Sequence, residues 1–275
     1  MPELPEVETI ARDLNAAVAG VAIVGVRVFR SDVLRECSPR SLGTRTRGAT
    51  IDRWWRRAKH AVADLSNGER IVISPRFTGA VLIESGAWTA GRGDYTTIAF
   101  ALADGRAMRY RDVRRLGTVT LMAPARFAEW EATLGPEPLG RWYTAELFTH
   151  AMRASRRAIK TVLMDQRRVA GIGNIYANEA LWRAKIRPSR RASALTRAEY
   201  ALLFKESRAV LTIAVKQRGT SFRDYQDPFG GRGGFLGLAK VYGRAGEPCV
   251  RCRTTLRSTH AIENRITVWC PKCQR

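Results

Sequence analysis

The chain opens Met1-Pro2-Glu3-Leu4-Pro5-Glu6-Val7-Glu8, which sets a proline beside a carboxylate. Removal of Met1 would leave Pro2 with a secondary amine, a group that no internal residue offers. An α-amino group titrates near pH ~8, against ~10.4 for lysine, so roughly two orders of magnitude more of it is neutral and nucleophilic at neutral pH. Attack of such an amine on a sugar C1′ gives, once its single N–H proton has left, an iminium ion with no proton left to lose. The competing reading is structural: Pro5 occupies the first turn of a helix and the glutamates complement its dipole. Near the other end, Cys249-x-x-Cys252 and Cys270-x-x-Cys273 enclose residues 253–269. Each CxxC turn presents two thiolates to one metal, and two matched pairs in a short basic tail predict one tetrahedral, structural Zn2+ rather than a disulfide or redox pair. Cys37 stands alone between charged neighbours and reads as an incidental thiol.

Charge says what such groups would meet. Lys and Arg total 47 against 25 Asp and Glu, a net charge of +22 in 275 residues. Such an excess points to a polyanionic partner bound through counterion release, and hence to nucleic acid. The surplus is concentrated in residues 151–191, where eleven Arg and Lys meet only Asp165 and Glu179. No apolar run approaches the ~20 residues of a bilayer span. No basic amphipathic helix with an aromatic face stands out, so a membrane partner is not expected. The first twenty residues are acidic and amphipathic, unlike a secretory signal, and a cytoplasmic setting is expected.

The elements that must hold these groups follow from periodicity. Val7, Ile10, Ala11, Leu14 and Val18 fall on one face, which predicts a helix over 6–19 ending at Gly20. Residues 61–65 and 70–73 flank Ser66-Asn67-Gly68, and 98–103 and 106–110 flank Asp104-Gly105, predicting two hairpins within a sandwich or barrel. Gly135-Pro136-Glu137-Pro138-Leu139-Gly140 breaks the pattern and marks a domain boundary. Leu195 before Thr196-x-x-Glu199 reads as a staple and capping box for a helix running to about Arg218. Residues 226–237 are expected to be an irregular, mobile loop. Gly171-Ile172-Gly173-Asn174 at a helix start offers backbone N–H groups to a phosphate, with an ordinary asparagine cap as the alternative.

Ends and middle together resemble the formamidopyrimidine-DNA glycosylase family, bacterial enzymes that excise oxidised purines such as 8-oxoguanine. The opening Pro-Glu-Leu-Pro-Glu-Val-Glu matches that family's N-terminus. Gly171 to Glu179 looks like its helix–two-turn–helix motif, and Val241-Tyr242-Gly243-Arg244 leading into the cysteine pairs is similar to its zinc finger. The resemblance spans essentially the whole chain. It implies an α+β multidomain fold: an N-terminal β-sandwich with a leading helix over 1–134, a linker at 135–150, a helix–two-turn–helix domain over 151–245 and a zinc-finger hairpin over 246–275.

The resemblance also implies roles. Pro2 would attack C1′ and release the base, Glu3 would move protons at the sugar, and elimination would cut the strand on both sides. Lys59 aligns with the family's catalytic lysine and Arg265 with its zinc-finger arginine. Arg156, Lys160 and Asn174 carry its helical-domain phosphate contacts, and Glu6 matches a glutamate of the first helix. Phe77, Arg114, Arg115 and Leu116 fall on the loops that fill the hole left by a flipped base. The partner implied is damaged double-stranded DNA in the bacterial cytoplasm at the nucleoid, with a monomer as the default assumption. His60, His150 and His260 have no metal-ligand spacing and read as bystanders.

The chain departs from the family's pattern in places. Phe77 stands where the family has methionine, Leu116 where it has phenylalanine and Val113 where it has proline; Gly93 replaces a DNA-contacting histidine. These changes leave the amine untouched and bear on lesion choice, with core packing as the plain alternative for Phe77 and Leu116. Two other functions compete. One is an endonuclease VIII-like glycosylase for oxidised pyrimidines, against which Leu4 and Val7 favour the purine branch. The other is a non-catalytic zinc-containing DNA-binding protein, which would need neither Pro2, Glu3 nor Lys59.

Overall fold

Helix α1 (Leu4–Val18) begins where Pro5 can take the first turn, its preset φ suiting a position whose N–H has no helical partner. Glu3 is its N-cap, and Glu3 and Glu6 form a reciprocal capping box in which Glu3 N donates to Glu6 Oε2 at 2.8 Å. The computed structural model describes residues 2–86, 94–221 and 227–275. Two compact units are present, Met1–Ala132 with Arg218–Gly233, and Thr133–Gln217 with Gly234–Arg275.

In the first unit β1 (Ile23–Val28), β2 (Leu34–Arg35), α2 (Pro39–Thr46), β3 (Ile51–Arg57), β4 (His60–Leu65), β5 (Arg70–Ser74), β6 (Gly79–Glu84), β7 (Thr96–Leu102), β8 (Ala107–Asp112), β9 (Thr118–Met122) and α3 (Pro124–Ala132) follow in order. They build a four-stranded sheet, β1-β7-β8-β6, and a five-stranded sheet, β2-β9-β5-β4-β3. Alternating side chains of both sheets, among them Ile71, Ile73, Val119, Ile98, Phe100 and Met108, share one core with Val7, Ile10 and Leu14 of α1. The other face of the five-stranded sheet packs Val62, Val72 and Met122 against Phe127 of α3. Both predicted hairpins are present, β4–β5 and β7–β8.

The second unit holds α4 (Ala145–Arg153), α5 (Ile159–Leu163), α6 (Asn174–Arg183) and α7 (Arg197–Lys216), then the short hairpin β10 (Arg257–Thr259) and β11 (Thr267–Trp269). The capping box at Thr196 and Glu199 starts α7 as read from sequence. Edge-on and tilted ring contacts among Tyr143, Phe148, Tyr200 and Phe204 join α4 to α7. Among the described residues no helix is long and apolar enough to cross a membrane.

Three organisational expectations change. The stretch 135–150 is not a bare linker, because Thr144 caps α4, whose Phe148 and Met152 are buried. Residues 218–221 and 227–233 group with the first unit rather than with 151–245: Thr220 N donates to Glu6 Oε1 at 2.6 Å, and Arg218 bridges Asp13 and Asp227. Residues 227–237 are partly ordered, since the Asp227 carboxylate accepts from Phe229 N and Gly231 N, and a 3₁₀ turn over Phe235–Leu238 buries Phe235. Gln226 and Gly93 lie outside the described residues.

Candidate functional site

In the first unit Pro2 and Glu3 are both buried at the start of α1. Lys59 stands in the tight turn between β3 and β4, beside Ala58, which is fully buried at φ +53°. A non-glycine residue in that left-handed region is strained and persists only where its surroundings fix it. Arg56 supplies part of that constraint. Its guanidinium donates to the Ala58 carbonyl at 3.0 Å and to Glu8 Oε2 on α1 at 2.8 Å. The lysine turn is thereby tied to the same helix that Pro2 and Glu3 begin. Burial opposes ionisation of Glu8, but Arg56 and then Arg12 outweigh it and hold the carboxyl below the ordinary carboxylate range. This pair was not read from the sequence; its signal was only an arginine in Arg56-Arg57-Ala58-Lys59.

Phe77, Val113 and Leu116 are 40%, 42% and 44% exposed, which removes the core-packing reading for Phe77 and Leu116. Arg114 lies over the Phe77 ring, 5.3 Å from its centroid. Arg115 is exposed, at φ +51°, and its guanidinium contacts Asp32 Oδ2 at 2.8 Å.

In the second unit Arg265 is exposed at the tip of the β10–β11 hairpin, after Glu263 and Asn264, both at positive φ. Behind it, the Ile266 carbonyl accepts from Lys160 Nζ and Asn174 Nδ2, each at 3.1 Å. Lys160 is a correction to the sequence reading. It is fully buried and also donates to Thr267 Oγ1 at 2.7 Å, so its ammonium braces the hairpin that carries Arg265 instead of facing a phosphate. Asn174 is the first residue of α6, with Gly173 rather than Asn174 as the N-cap, and its Oδ1 has no protein partner. Arg156 is exposed, as a phosphate contact requires. Sequence reading also missed Glu179, a fully buried carboxylate on α6 that accepts from the backbone N–H groups of Lys240, Val241 and Tyr242. An acid within a helix carries no sequence mark of that duty.

Cys249, Cys252, Cys270 and Cys273 come together, their sulfurs all within 4.8 Å of one another. Thiolates about 2.3 Å from a shared tetrahedral Zn2+ stand about 3.8 Å apart, so this set fits one ion. Cys273 N donates to Cys270 Sγ at 3.4 Å, and Trp182, Val241, Leu256 and Val268 pack around the cluster.

Residues 1–119 match the model of the formamidopyrimidine-DNA glycosylase N-terminal domain, and residues 134–226 match that of the formamidopyrimidine-DNA glycosylase H2TH domain. A formamidopyrimidine-DNA glycosylase of Herpetosiphon aurantiacus is 39% identical, with both chains covered in full. Lactococcus lactis Fpg in complex with abasic-site DNA superposes with a TM-score of 0.91 at 30% identity over 99% of each chain. The same protein in complex with N7-benzyl-Fapy-dG DNA gives 0.91 at 30% identity over both whole chains.

Proposed function

The chain belongs to the formamidopyrimidine-DNA glycosylase family of DNA glycosylases, and from that premise we propose that it excises oxidised purines, 8-oxoguanine and formamidopyrimidines, from duplex DNA and then cleaves the strand as an abasic-site lyase. In this reading Pro2, once Met1 is gone, attacks C1′ of the damaged nucleotide. The C1′–N bond breaks, the base leaves with a proton, and the amine becomes an iminium on the opened sugar. Loss of a C2′ proton then expels the 3′ phosphate, and a second elimination expels the 5′ phosphate. Glu3 moves protons at the sugar, Lys59 and Arg265 engage the flanking phosphates, and Arg156 and Asn174 hold the backbone further along. One Zn2+ on the four cysteines would stabilise the hairpin that presents Arg265 and take no part in the bond changes. We place this activity in the bacterial cytoplasm, at the nucleoid, in a monomer.

The observation that supports the reading most is similarity to these glycosylases from end to end in a chain that carries Pro2, Glu3, Lys59 and Arg265 where the resemblance expects them. Mere DNA binding would require none of the amine chemistry. Incubation with an abasic-site duplex and borohydride should trap a covalent adduct, and Pro2→Gly should lower strand scission by at least about 100-fold. DNA binding without an adduct would favour the non-catalytic alternative. Phe77 and Leu116 at the exposed loop positions favour testing oxidised pyrimidines as a second substrate class. Parallel duplexes carrying 8-oxoguanine, formamidopyrimidine and thymine glycol separate the two; preference for thymine glycol would replace the purine reading.

A further inference from the structure

Asp112 closes β8 and is 1% exposed. Its carboxylate is the meeting point of the loop after β5 and the loop after β8. Oδ1 accepts from Thr78 Oγ1 and from Arg114 N, the latter at 3.2 Å. Oδ2 accepts from Gly117 N at 2.8 Å and from the Tyr110 hydroxyl at 3.3 Å. Thr78 Oγ1 in turn accepts from Arg114 N at 3.0 Å. One buried side chain therefore ties residues 75–78 to residues 113–117. The fit is close: a Cβ added at Gly79 or at Gly117 would overlap the Tyr110 hydroxyl. Burial, reinforced by Asp112, raises the Tyr110 pKa far above its ordinary value, so that hydroxyl remains a donor.

What this clip holds outward is unfavourable by itself. Phe77, Val113 and Leu116 are left substantially in water, and Arg76 and Arg115 both sit at φ +51°. Exposed apolar surface and left-handed non-glycine backbone each cost free energy. Such a conformation persists where the surrounding hydrogen bonds over-determine it, and the Asp112 network does so for both loops.

We propose that Asp112 is a positioning residue for base eversion, fixing the two loops as one body so that Phe77, Arg114 and Leu116 meet the duplex as a prebuilt wedge. The proposal rests on the glycosylase reading above. Rigid loops lose little further freedom when their side chains enter the stack, which favours insertion over remaining outside. A carboxylate is required because every group that converges on it is a donor. Asparagine there would turn an N–H toward other N–H or O–H groups and open the clip.

The full-length protein tests this with Asp112→Asn and with Thr78→Val, which removes one arm of the clip while keeping its shape. Two rates are compared: excision from a lesion duplex, and scission of a preformed abasic site in a single-stranded oligonucleotide, where nothing must be unstacked. A 2-aminopurine opposite the lesion reports the opening of the stack. The ratio of duplex excision to single-strand scission should fall about tenfold or more in Asp112→Asn and about threefold in Thr78→Val, with the 2-aminopurine rise slowed in step. Should Asp112→Asn not fold, Thr78→Val makes the same comparison. A ratio and fluorescence rise unchanged within about twofold in the variants that fold would overturn the proposal. Absence of excision in the parent chain would instead overturn the glycosylase reading, and this one with it.

Discussion

At Lys160 the amine lies out of reach of solvent, donating to the Thr267 hydroxyl and the Ile266 carbonyl. A buried ammonium with several hydrogen bonds fixes geometry more than it adds stability, because desolvation offsets much of the attraction. Its residue type nonetheless suggested a phosphate contact, which shows how a basic stretch misleads when each cation is read as exposed. His60 is the opposite case, a group read as incidental that has a measurable consequence. It packs edge-on against Trp130, with ring centroids 5.0 Å apart and Nδ1 3.3 Å from the Arg57 carbonyl oxygen. Desolvation, opposed by that carbonyl and aided by Arg76, Lys59 and Arg57, pushes its pKa down to about 4 from 6.5. The folded ring is thus neutral where the unfolded ring takes up a proton. Its contribution to stability is full above pH 6.5 and is lost as pH falls toward 4. Denaturant melts from pH 4 to 7 should show a shallower stability slope for His60→Phe than for the parent; identical slopes would assign the acid sensitivity to another group.

Among the elements, the β10–β11 hairpin has the least of its own to hold it. Each strand is three residues long, and a pair that short is marginal in water without help. Help comes from the cysteine cluster on one side and from Lys160, Asn174 and Asn178 on the other, with Val268 N donating to Asn178 Oδ1 at 2.9 Å. If the four cysteines hold Zn2+ as proposed, its removal should melt the hairpin while the helices of the second unit remain. Chelation, or Cys252→Ser, is expected to weaken DNA binding by about 10-fold or more with little change in far-ultraviolet circular dichroism. A preparation containing one equivalent of zinc that loses it with no effect on binding would detach the cluster from the hairpin's role. The hairpins β4–β5 and β7–β8 and the capped start of α7 were legible in the sequence, because turn and cap residues act within a few positions. Helices α3 and α4 were not, since their apolar faces are short and acquire meaning only against Phe127's sheet and the Tyr200 cluster.

For the molecule as a whole, +22 already counts every acid, but the local surplus of residues 151–191 is partly met by acids elsewhere in the chain. Within residues 151–191 Arg157 contacts Glu263, Arg190 contacts Glu199, and Arg167 and Arg168 lie near Asp165. Exposed pairs of this kind are worth little to stability, yet they lower the local field. Binding to duplex DNA should still weaken linearly in log affinity against log salt, with a slope near 0.9 per phosphate neutralised. Exposed Arg156 is predicted to be one such contact, so Arg156→Ala should reduce the slope by about 1 without changing lesion preference. A salt slope identical to the parent's would remove Arg156 from the interface.

What the chain alone determined is the chemistry that is local by nature: paired thiols two residues apart, a proline next to a carboxylate, turns and caps written in four or five letters. The family resemblance rested on those same short stretches. Tertiary structure decided the remainder. It turned Lys160 inward, brought Thr220 and Arg218 onto Glu6 and Asp13, tied the lysine turn to α1 through Arg56 and Glu8, and joined two exposed loops on Asp112. Each of these depends on partners tens to hundreds of residues apart, and no spacing rule along one strand or helix reports a contact that forms only when separate elements pack.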